Sequence, residues 1–552
     1  MVDTIAAEEI FKELKQHSIS EFFRKNSQML GYSGKVRSLT TVVHEYVTNS
    51  LDACEEAGIL PEITVEVKEL SESRHSIRNT DNGPGIPSKI IGKVLATVLS
   101  GTKFHRYIQQ RGQQGIGGSG CTLFSQITTG KPIHLRSSTG RNAYECDLTI
   151  DIKSNKPLIT NMKEFEPSSF RGLSIYGEFG ETKYENSDHG VYEYLRRTAL
   201  SNPHATIRLV DPEGKETVFL RSVQEMPKRP KPTRPHPLGV TTNDLRDFAH
   251  LSASKKVSSF LTDTFSRMSQ NKVEELKGIV ANVDFDKDPH TLTWDEAEAL
   301  VKGFKQVKWI APDLDSLSTV GEKQIELAMK NILNPKFMSV VERRPKVFRG
   351  GIPFVVEVGI AYGGNSGRQT EEGVKGTIIR FANKVPLLFD GSACAITEAA
   401  SSIQWKRYHI KSFDEEPITL LVNVSSVYVP YSGVGKQAVA QEPEIIEEVK
   451  LAVMDCGRIL QRYISGEKNL SIQTSKYNTI MRYVSQLAIN LNDITGISKE
   501  EIEKALRAVI EKRYKHMLEE EKKLQEAAAS IETAEQPSAE GENAAEEDSE
   551  AE

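Results

Sequence analysis

The sequence predicts an α+β fold in several domains. Three observations predict it. Near the start, His44-Glu45-Tyr46-Val47-Thr48-Asn49-Ser50-Leu51-Asp52-Ala53, the turn Asp81-Asn82-Gly83-Pro84-Gly85-Ile86 and the glycine-rich Gly112-Gln113-Gln114-Gly115-Ile116-Gly117-Gly118-Ser119-Gly120 follow in that order. Further on, Phe354–Tyr362 and Ile418–Val424 read as strands rich in Val, Ile and Leu. Helical patterns follow Asn243 and Pro443.

The first motif is a helix by its spacing. Glu45 and Asn49 are four apart and share a face, which Asp52 extends, while Val42, Val43, Val47 and Leu51 suit the buried side. An amide oxygen can ligate magnesium beside phosphates without adding negative charge, and a carboxylate one turn away can take a proton from water. The bland alternative is an ordinary amphipathic helix with an acidic face. A zincin reading of His44-Glu45 fails, because Thr48 stands where a second His is needed.

The second motif is a turn by its Asn-Gly and Gly-Pro steps. Asp81 there is a carboxylate acceptor suited to the adenine exocyclic amine, and Gly83 and Gly85 let backbone come close to a base. Residues 115–120 satisfy G-x-G-x-x-G, but the polar His105–Arg111 before them is no buried strand, so a dinucleotide fold is rejected. The stretch reads instead as a lid ending at a helix N-terminus, Cys121-Thr122-Leu123-Phe124, with backbone N–H groups that cradle phosphates. Thr102 and Lys103 precede it and add a hydroxyl and a charge.

Length bounds the rest. The chain of 552 residues has room for about three domains, and 38% apolar residues suffice for proper cores. It contains no run of eighteen apolar residues and no apolar signal at its start. Five scattered cysteines without CxxC suit a reducing cytoplasm and exclude a disulfide framework or a zinc site. Ten acidic residues and no basic one follow Lys523; without them the formal charge of −6 becomes +4, so a disordered acidic tail masks a mildly basic body. Pro227–Pro237 is proline-rich and reads as an extended spacer at a domain boundary. Beyond it Asn243 can cap a helix, and Val257, Phe260, Leu261, Phe265 and Met268 form an apolar stripe in a small helical unit running to about residue 310. Asp284–Asp288 is no EF-hand, since Pro289 takes the glycine position, and reads as a loop before a helix at Thr293. In Tyr431–Gln437, Gly435-Lys436 is no Walker A end, because Gln437 replaces Ser/Thr; it reads as a tight loop aiming a lysine at a γ-phosphate.

On these residues the first region resembles the GHKL ATPases, the family of gyrase B, Hsp90, MutL and histidine kinases. The resemblance implies ATP and Mg2+ as cofactors, with Glu45 as general base, Asn49 as Mg2+ ligand, Asp81 as adenine reader and Gly112 to Ser119 wrapping the phosphates. Two departures stand out. The strand before the Asp81 turn, Ser76-Ile77-Arg78-Asn79-Thr80, is polar, and Gly172-Leu173 replaces the usual Gly-Thr. Thr198–Ala205, Pro235–Val240, Arg380–Leu388 and Trp405-Lys406-Arg407-Tyr408 make the chain similar to the ATPase subunits of the type IIB topoisomerase family of archaea and plants. That implies a Bergerat-fold ATPase (1–227, opening with a strap bearing Ile10, Phe11 and Leu14), a helix-two-turn-helix insert (228–310), an S5-like transducer with a long stalk helix (311–470), a helical region (471–524) and the tail (525–552). It implies Lys436 as the switch lysine, Trp405 to Tyr408 as a loop sensing captured DNA, closure of two such chains around ATP, and a heterotetramer with two DNA-cutting A subunits. The rival readings are a MutL-like repair protein, which lacks the insert, and an Hsp90-like clamp, which has no DNA stimulation; a histidine kinase needs an acceptor histidine that is not evident.

Overall fold

The computed structural model describes residues 21–22, 25–26, 31–99, 107–112, 115–166, 170–310, 316–371, 373–433 and 435–534. Thr102, Lys103, Gln113, Gln114 and the strap residues Ile10, Phe11 and Leu14 lie outside them. The chain divides into two compact units, 1–458 and 459–552.

The first unit opens with helix α1 (Lys35–Ala57), which the glycine at 58 ends in a left-handed cap. Leu39, Val42, Val43, Val47 and Leu51 are all buried. Each such burial stabilises by about 1.5–3 kcal/mol, and together they press the apolar face of α1 onto a sheet. That sheet has eight strands: β1 (Glu62–Ser71), β2 (Arg74–Asp81), β3 (Ile133–Ser138), β4 (Ala143–Asp151), β5 (Lys156–Phe165), β6 (Gly172–Gly180), β7 (Thr206–Val210) and β8 (Glu216–Phe219). Their order is β5-β4-β3-β6-β2-β1-β7-β8, and only the β1–β7 pairing is parallel. Helices α2 (Ile91–Leu95), α3 (Gly117–Thr129) and α4 (Val191–Ser201) share its core with α1.

Strand β2 forms despite its polar sequence. Its buried Asn79 donates to Ser50 Oγ on α1 (3.0 Å), and its buried His75 pairs with Thr182 (3.0 Å). A buried polar strand face is tolerated when most of its groups find partners; here Asn79 Oδ1 is the exception, buried without one among the described residues.

A helical cluster follows: α5 (Thr242–Leu251), α6 (Val257–Thr264), α7 (Gln270–Ile279) and α8 (Trp294–Phe304). Val257, Phe260, Leu261, Phe265 and Met268 are buried in one core that runs from Val240 to Val307. Asn243 does not cap. Thr241 does, in a capping box with Asp244, because the residue that must leave helical geometry lies one position before Thr242. Thr293 and Glu296 form the same device on α8, while Asp286 and Lys287 are taken up by ion pairs with Lys256 and Glu296. Nor is the proline-rich segment a free spacer. Lys231 N–H donates to Ser316 O (3.1 Å), Thr233 N–H to Tyr107 O (2.7 Å), and Pro235 O accepts from Ser266 N–H (2.9 Å). Proline lacks its own N–H, but the residues between the prolines keep theirs and are tied down by them.

Helix α9 (Glu322–Leu333) leads into a second sheet of β9 (Phe337–Glu342), β10 (Lys346–Phe348), β11 (Ile352–Tyr362), β14 (Thr377–Ala382), β15 (Val385–Pro386) and β16 (Ile418–Ser426), with the small hairpin β12 (Arg368–Thr370) and β13 (Gly373–Lys375) apart from it. Strand β16 is its centre, antiparallel to β11 and parallel to β14. Helix α10 (Ala395–Ser401) follows β15. Helix α11 (Pro443–Thr495) gives its first turns to this unit. The second unit holds the rest of α11 and α12 (Lys499–Ala534), where Tyr477 meets Tyr514 edge-on at 5.6 Å. Helix α12 runs into the segment that composition marks as tail, and residues beyond 534 lie outside those described. The five cysteines are all buried and unbonded. Among the described residues no helix is long and apolar enough to cross a membrane.

Gly172 is the tightest point between sheet and turn. Its φ is +129°, and a Cβ there would run into the Asp81 carbonyl. Gly172→Ala is therefore expected to lower stability by about 1–3 kcal/mol, read as a fall in the thermal midpoint, and to weaken nucleotide binding with it.

Candidate functional site

One face of α1 forms the floor of a cavity of about 480 Å³. The row Arg37, Thr41, Glu45, Asn49 and Ala53 advances by four and lines it throughout. The cavity is completed by Asp81, Gly85 and Ile86 from the turn, by Gly112, Gly115, Ile116, Gly117 and Gly118, by Leu173 from β6, and by Gly435, Lys436 and Gln437. Motifs separated by several hundred residues in sequence thus share one space.

Glu45 sits against the first turn of α3. A Cβ at Gly117 would run into its carboxylate, and one at Gly118 would meet Leu95 (2.7 Å), so neither position accepts a side chain without displacement. Helix α3 starts at Gly117, four residues before the Cys121 at which the sequence places it. The correction has a physical reason: the glycines are there for close helix packing. It also sharpens the chemistry, because Gly117, Gly118 and Ser119 are then the first-turn residues whose N–H groups have no intrahelical acceptor and point outward. The Ser119 hydroxyl turns back to Ile116 O (3.1 Å), and the residue is buried behind the lining.

Asp81 is held on three sides. Oδ2 accepts from Ser50 Oγ (2.6 Å), and Oδ1 accepts from the N–H of Gly83 (3.0 Å) and of Leu173 (3.1 Å). Burial pushes its pKa up and these hydrogen bonds pull against that shift. Gly83 is occupied with this bond and does not line the cavity. Gly85 does, with φ +69°, and a Cβ there would collide with the Ser138 carbonyl on β3, so the neighbouring strand is what requires the glycine. Where the sequence has Gly172-Leu173, the Leu173 backbone N–H reaches Asp81, and Thr80 Oγ1 pairs with Ser174 Oγ (2.9 Å).

Lys436 has φ +51°, a left-handed position at the tip of its loop. His44, beside Glu45, has its pKa lowered by burial. The neighbouring Glu45 opposes that shift and the charge of Lys436 adds to it. Gln437 accepts from the N–H of Leu388 (3.2 Å) and Phe389 (3.3 Å), and Arg37 lies over the Phe389 ring and pairs with Asp390 (3.2 Å). Trp405, Lys406, Arg407 and Tyr408 lie away from this cavity in a single 3-10 turn. Tyr408 is buried against Gly457 of α11, Trp405 packs on Phe413 (4.9 Å), and Lys406 and Arg407 are exposed.

Sequence reasoning missed Ser50, Leu173, Arg37 and Gln437. Arg37 was legible, since extending the four-residue row backwards from Glu45 reaches Thr41 and then Arg37. Ser50 and Leu173 act on Asp81 through folding alone and leave no spacing signal.

The family described as histidine kinase-, DNA gyrase B- and HSP90-like ATPase matches residues 34–156, which hold the cavity's helix, turn and glycines. The family described as topoisomerase VI B subunit, transducer, matches residues 312–476, which hold Lys436 and Trp405 to Tyr408. Over 569 residues the chain is 44% identical to the B subunit of type 2 DNA topoisomerase 6 from Pyrococcus horikoshii, covering 95% of this chain and 100% of that one. The chain belongs to the family of type 2 DNA topoisomerase 6 B subunits. Proteins of the same description from Thermococcus sibiricus (43% identical, 92% of this chain and 97% of the relative) and Methanothermobacter thermautotrophicus (46%, 86% and 91%) agree. The fold is accordingly α+β with a GHKL ATPase module that binds ATP, and the chain is a subunit of an ATP-dependent type IIB topoisomerase; the MutL-like and Hsp90-like readings are not favoured.

If Asp81 reads a base amine as the sequence predicts, its ionised form accepts more strongly than the neutral acid, so nucleotide affinity is expected to fall as pH drops through its raised pKa, whereas a surface carboxylate would hold its charge to lower pH. Asp81→Asn should weaken binding of a non-hydrolysable ATP analogue by about 10- to 100-fold, with the pH dependence of that binding lost; titration calorimetry across pH reads both.

Proposed function

We propose that this chain is the ATP-operated clamp of a heterotetramer with two A subunits and two B subunits, acting on double-stranded DNA in the cytoplasm. The observation that carries the reading is that Glu45, Asn49, Asp81, the glycines 112, 115, 117 and 118 and Lys436 line one cavity. Asp81 selects adenine by accepting from its exocyclic amine. The first-turn N–H groups of α3 and the glycine backbone hold the phosphates. Glu45 takes the proton of the attacking water. Lys436 places a positive charge on the γ-phosphate oxygens, which ADP lacks, and so makes the position of its loop depend on the nucleotide.

Mg2+ fits this donor set. Asn49 offers one neutral oxygen beside the phosphates, and among the described residues no group of three or more His, Cys, Asp or Glu side chains converges to hold a metal by itself. Asn49 would hold the ion, which when bound neutralises phosphate charge. Thr102, Lys103, Gln113 and Gln114 join the phosphate set as sequence expectations.

The segments divide as ATPase with strap (1–227), helix-two-turn-helix insert (228–310), transducer and stalk (311–470), helical region (471–524) and tail (525–552). ATP binding closes two copies through the ATPase module. Lys406 and Arg407 meet phosphates of a captured duplex, a salt-sensitive and sequence-independent contact. The long helix α11 carries the signal to the A subunit, whose tyrosine cuts a second duplex.

The deciding experiment is ATP-dependent relaxation of supercoiled plasmid by the chain with and without its A subunit. Relaxation should require both. Glu45→Ala should keep binding of the ATP analogue and closure of the dimer while hydrolysis drops at least about 100-fold; unchanged hydrolysis removes Glu45 as the base. Lys436→Ala should reduce the preference for ATP over ADP by roughly tenfold, measured by competition binding, because one charged contact to the γ-phosphate is lost.

A further inference from the structure

Beside the nucleotide cavity lies a second one of about 330 Å³, which shares Asp52 and Glu56 with it. Remote parts of the chain meet there, among them the last turns of α1, the segment Gln109–Arg111 that runs straight into Gly112, Ser318, and the turn Asn383–Lys384 between β14 and β15.

Arg111 is buried, and both of its terminal nitrogens are engaged while its Nε finds no partner among the described residues. It donates to Asp52 Oδ1 (2.9 Å) and to both oxygens of Glu55 (2.6 and 2.9 Å), and further to Asn202 Oδ1 (2.5 Å). Burial works against the charge of Glu55, but Arg111 and the ring of His204 (2.8 Å) outweigh it and hold that carboxyl well below its ordinary pKa. The residue before the phosphate-binding glycines is therefore pinned to the helix that carries Glu45 and Asn49, three residues past Asn49.

The turn grips the same segment from the other side. Asn383 and Lys384 have φ of +48° and +68°, as a two-residue turn with a primed backbone requires. Asn383 Nδ2 donates to Gln110 O (3.1 Å), and Lys384 Nζ to Ser318 Oγ (3.0 Å). Ser318 in turn exchanges two backbone hydrogen bonds with the Gln109 side chain (2.8 and 2.6 Å). Lys384 O accepts from Ser201 and from Asn202, the partner of Arg111. On the sheet side, Lys384 N–H donates to Asn423 Oδ1 (3.1 Å), and Asn423 Nδ2 to the buried Glu357 (2.7 Å), which also accepts from the N–H groups of Val320 and Gly321 at the start of α9. Burial lowers the pKa of the Lys384 ammonium; Glu55 pulls it back up, Arg111 lowers it further, and Glu357 and Asp52 raise it. A charge in such a place persists only where partners surround it.

We propose that Lys384 and Asn383, acting through Gln109–Arg111, are positioning residues for ATP hydrolysis: they hold the entry to the phosphate-binding glycines in register with Glu45 and Asn49, and give the second sheet a grip on the nucleotide site that does not pass through Lys436. The inference rests on the ATPase reading above.

Full-length Ser318→Ala, Lys384→Met and Lys384→Arg test it by kcat and KM for ATP hydrolysis, affinity for a non-hydrolysable ATP analogue, and thermal midpoint. Ser318→Ala and Lys384→Met should lower kcat about tenfold, as small misplacements of reacting groups do. KM and analogue affinity should stay within about twofold of wild type, since base and phosphate contacts are untouched. Lys384→Arg, which can still donate to Ser318, should recover most of the loss. The inference is overturned by a kcat within twofold of wild type in Ser318→Ala and Lys384→Met, or by a lowered thermal midpoint with unchanged turnover of the folded protein. If Lys384→Met does not fold, Ser318→Ala decides alone, because it deletes one hydroxyl and leaves the Gln109 bonds in place. Wild type that fails to bind the analogue sinks the ATPase reading instead, a distinguishable result.

Discussion

Helix α1 is buried along Leu39, Val42, Val43, Val47 and Leu51, and that burial fixes which of its side chains can face the cavity. Rotating the helix by one residue would carry a charged or amide group into the sheet core, at a cost of several kcal/mol for each unpaired charge. The polar row from Arg37 to Asn49 is thus locked in place by apolar contacts made on the opposite side. The close seat of α3 follows from the same lock. Glu45 comes forward so far that only glycine fits at 117, and the N–H groups of that turn are left for a ligand rather than for a neighbouring side chain.

A second consequence is that the site has two attachments to the sheet centred on β16. One is the Lys436 loop, tied by Gln437 to the Leu388–Phe389 backbone, while Arg37 reaches the same segment at Asp390. The other is the polar junction at Arg111 and the Asn383–Lys384 turn. Both attachments flank a single short stretch, because β15 begins immediately after the turn and leads into Leu387–Asp390. A shift of that stretch therefore bears on the Lys436 end of the cavity and on the segment leading into Gly112 together. Coupling between distant sites requires an element with two arrangements whose position both sites bias, and Val385–Asp390 has the connections to both that such an element needs.

What could be read from the sequence divides along physical lines. The helix row, the Asp81 turn, the glycine run and the Gly435-Lys436 loop were legible because each is a local arrangement with a spacing or turn chemistry of its own. The strands Phe354–Tyr362 and Ile418–Val424 were legible as apolar runs, and the structure extends each by two residues. Strand β2 defied its composition because Asn79 donates to Ser50 across helix and strand and His75 pairs with Thr182, tertiary pairings that no window of sequence contains. The start of α3 was misplaced because glycine argues against helix locally, whereas packing against Glu45 and Leu95 demands it. The proline-rich segment looked like a spacer because its hydrogen bonds go to Tyr107, Ser316 and Ser266, all distant in sequence. The junction at Arg111 was invisible for the same reason, since its partners come from widely separated stretches of the chain.

The Trp405–Tyr408 turn shows how one short motif divides its work between anchoring and presentation. Tyr408 is buried against Gly457, where a Cβ would crowd the ring at 3.1 Å, so the turn is fastened to α11. Trp405 packs on Phe413 and stiffens the other end. With both aromatic ends fixed, Lys406 and Arg407 are carried outward together on a rigid support. Whatever bears on these two charges bears also on α11 through Tyr408, rather than only on two loose side chains. Screening limits such charges to roughly 8 Å at physiological salt, so the pair acts only on a charge close to the turn.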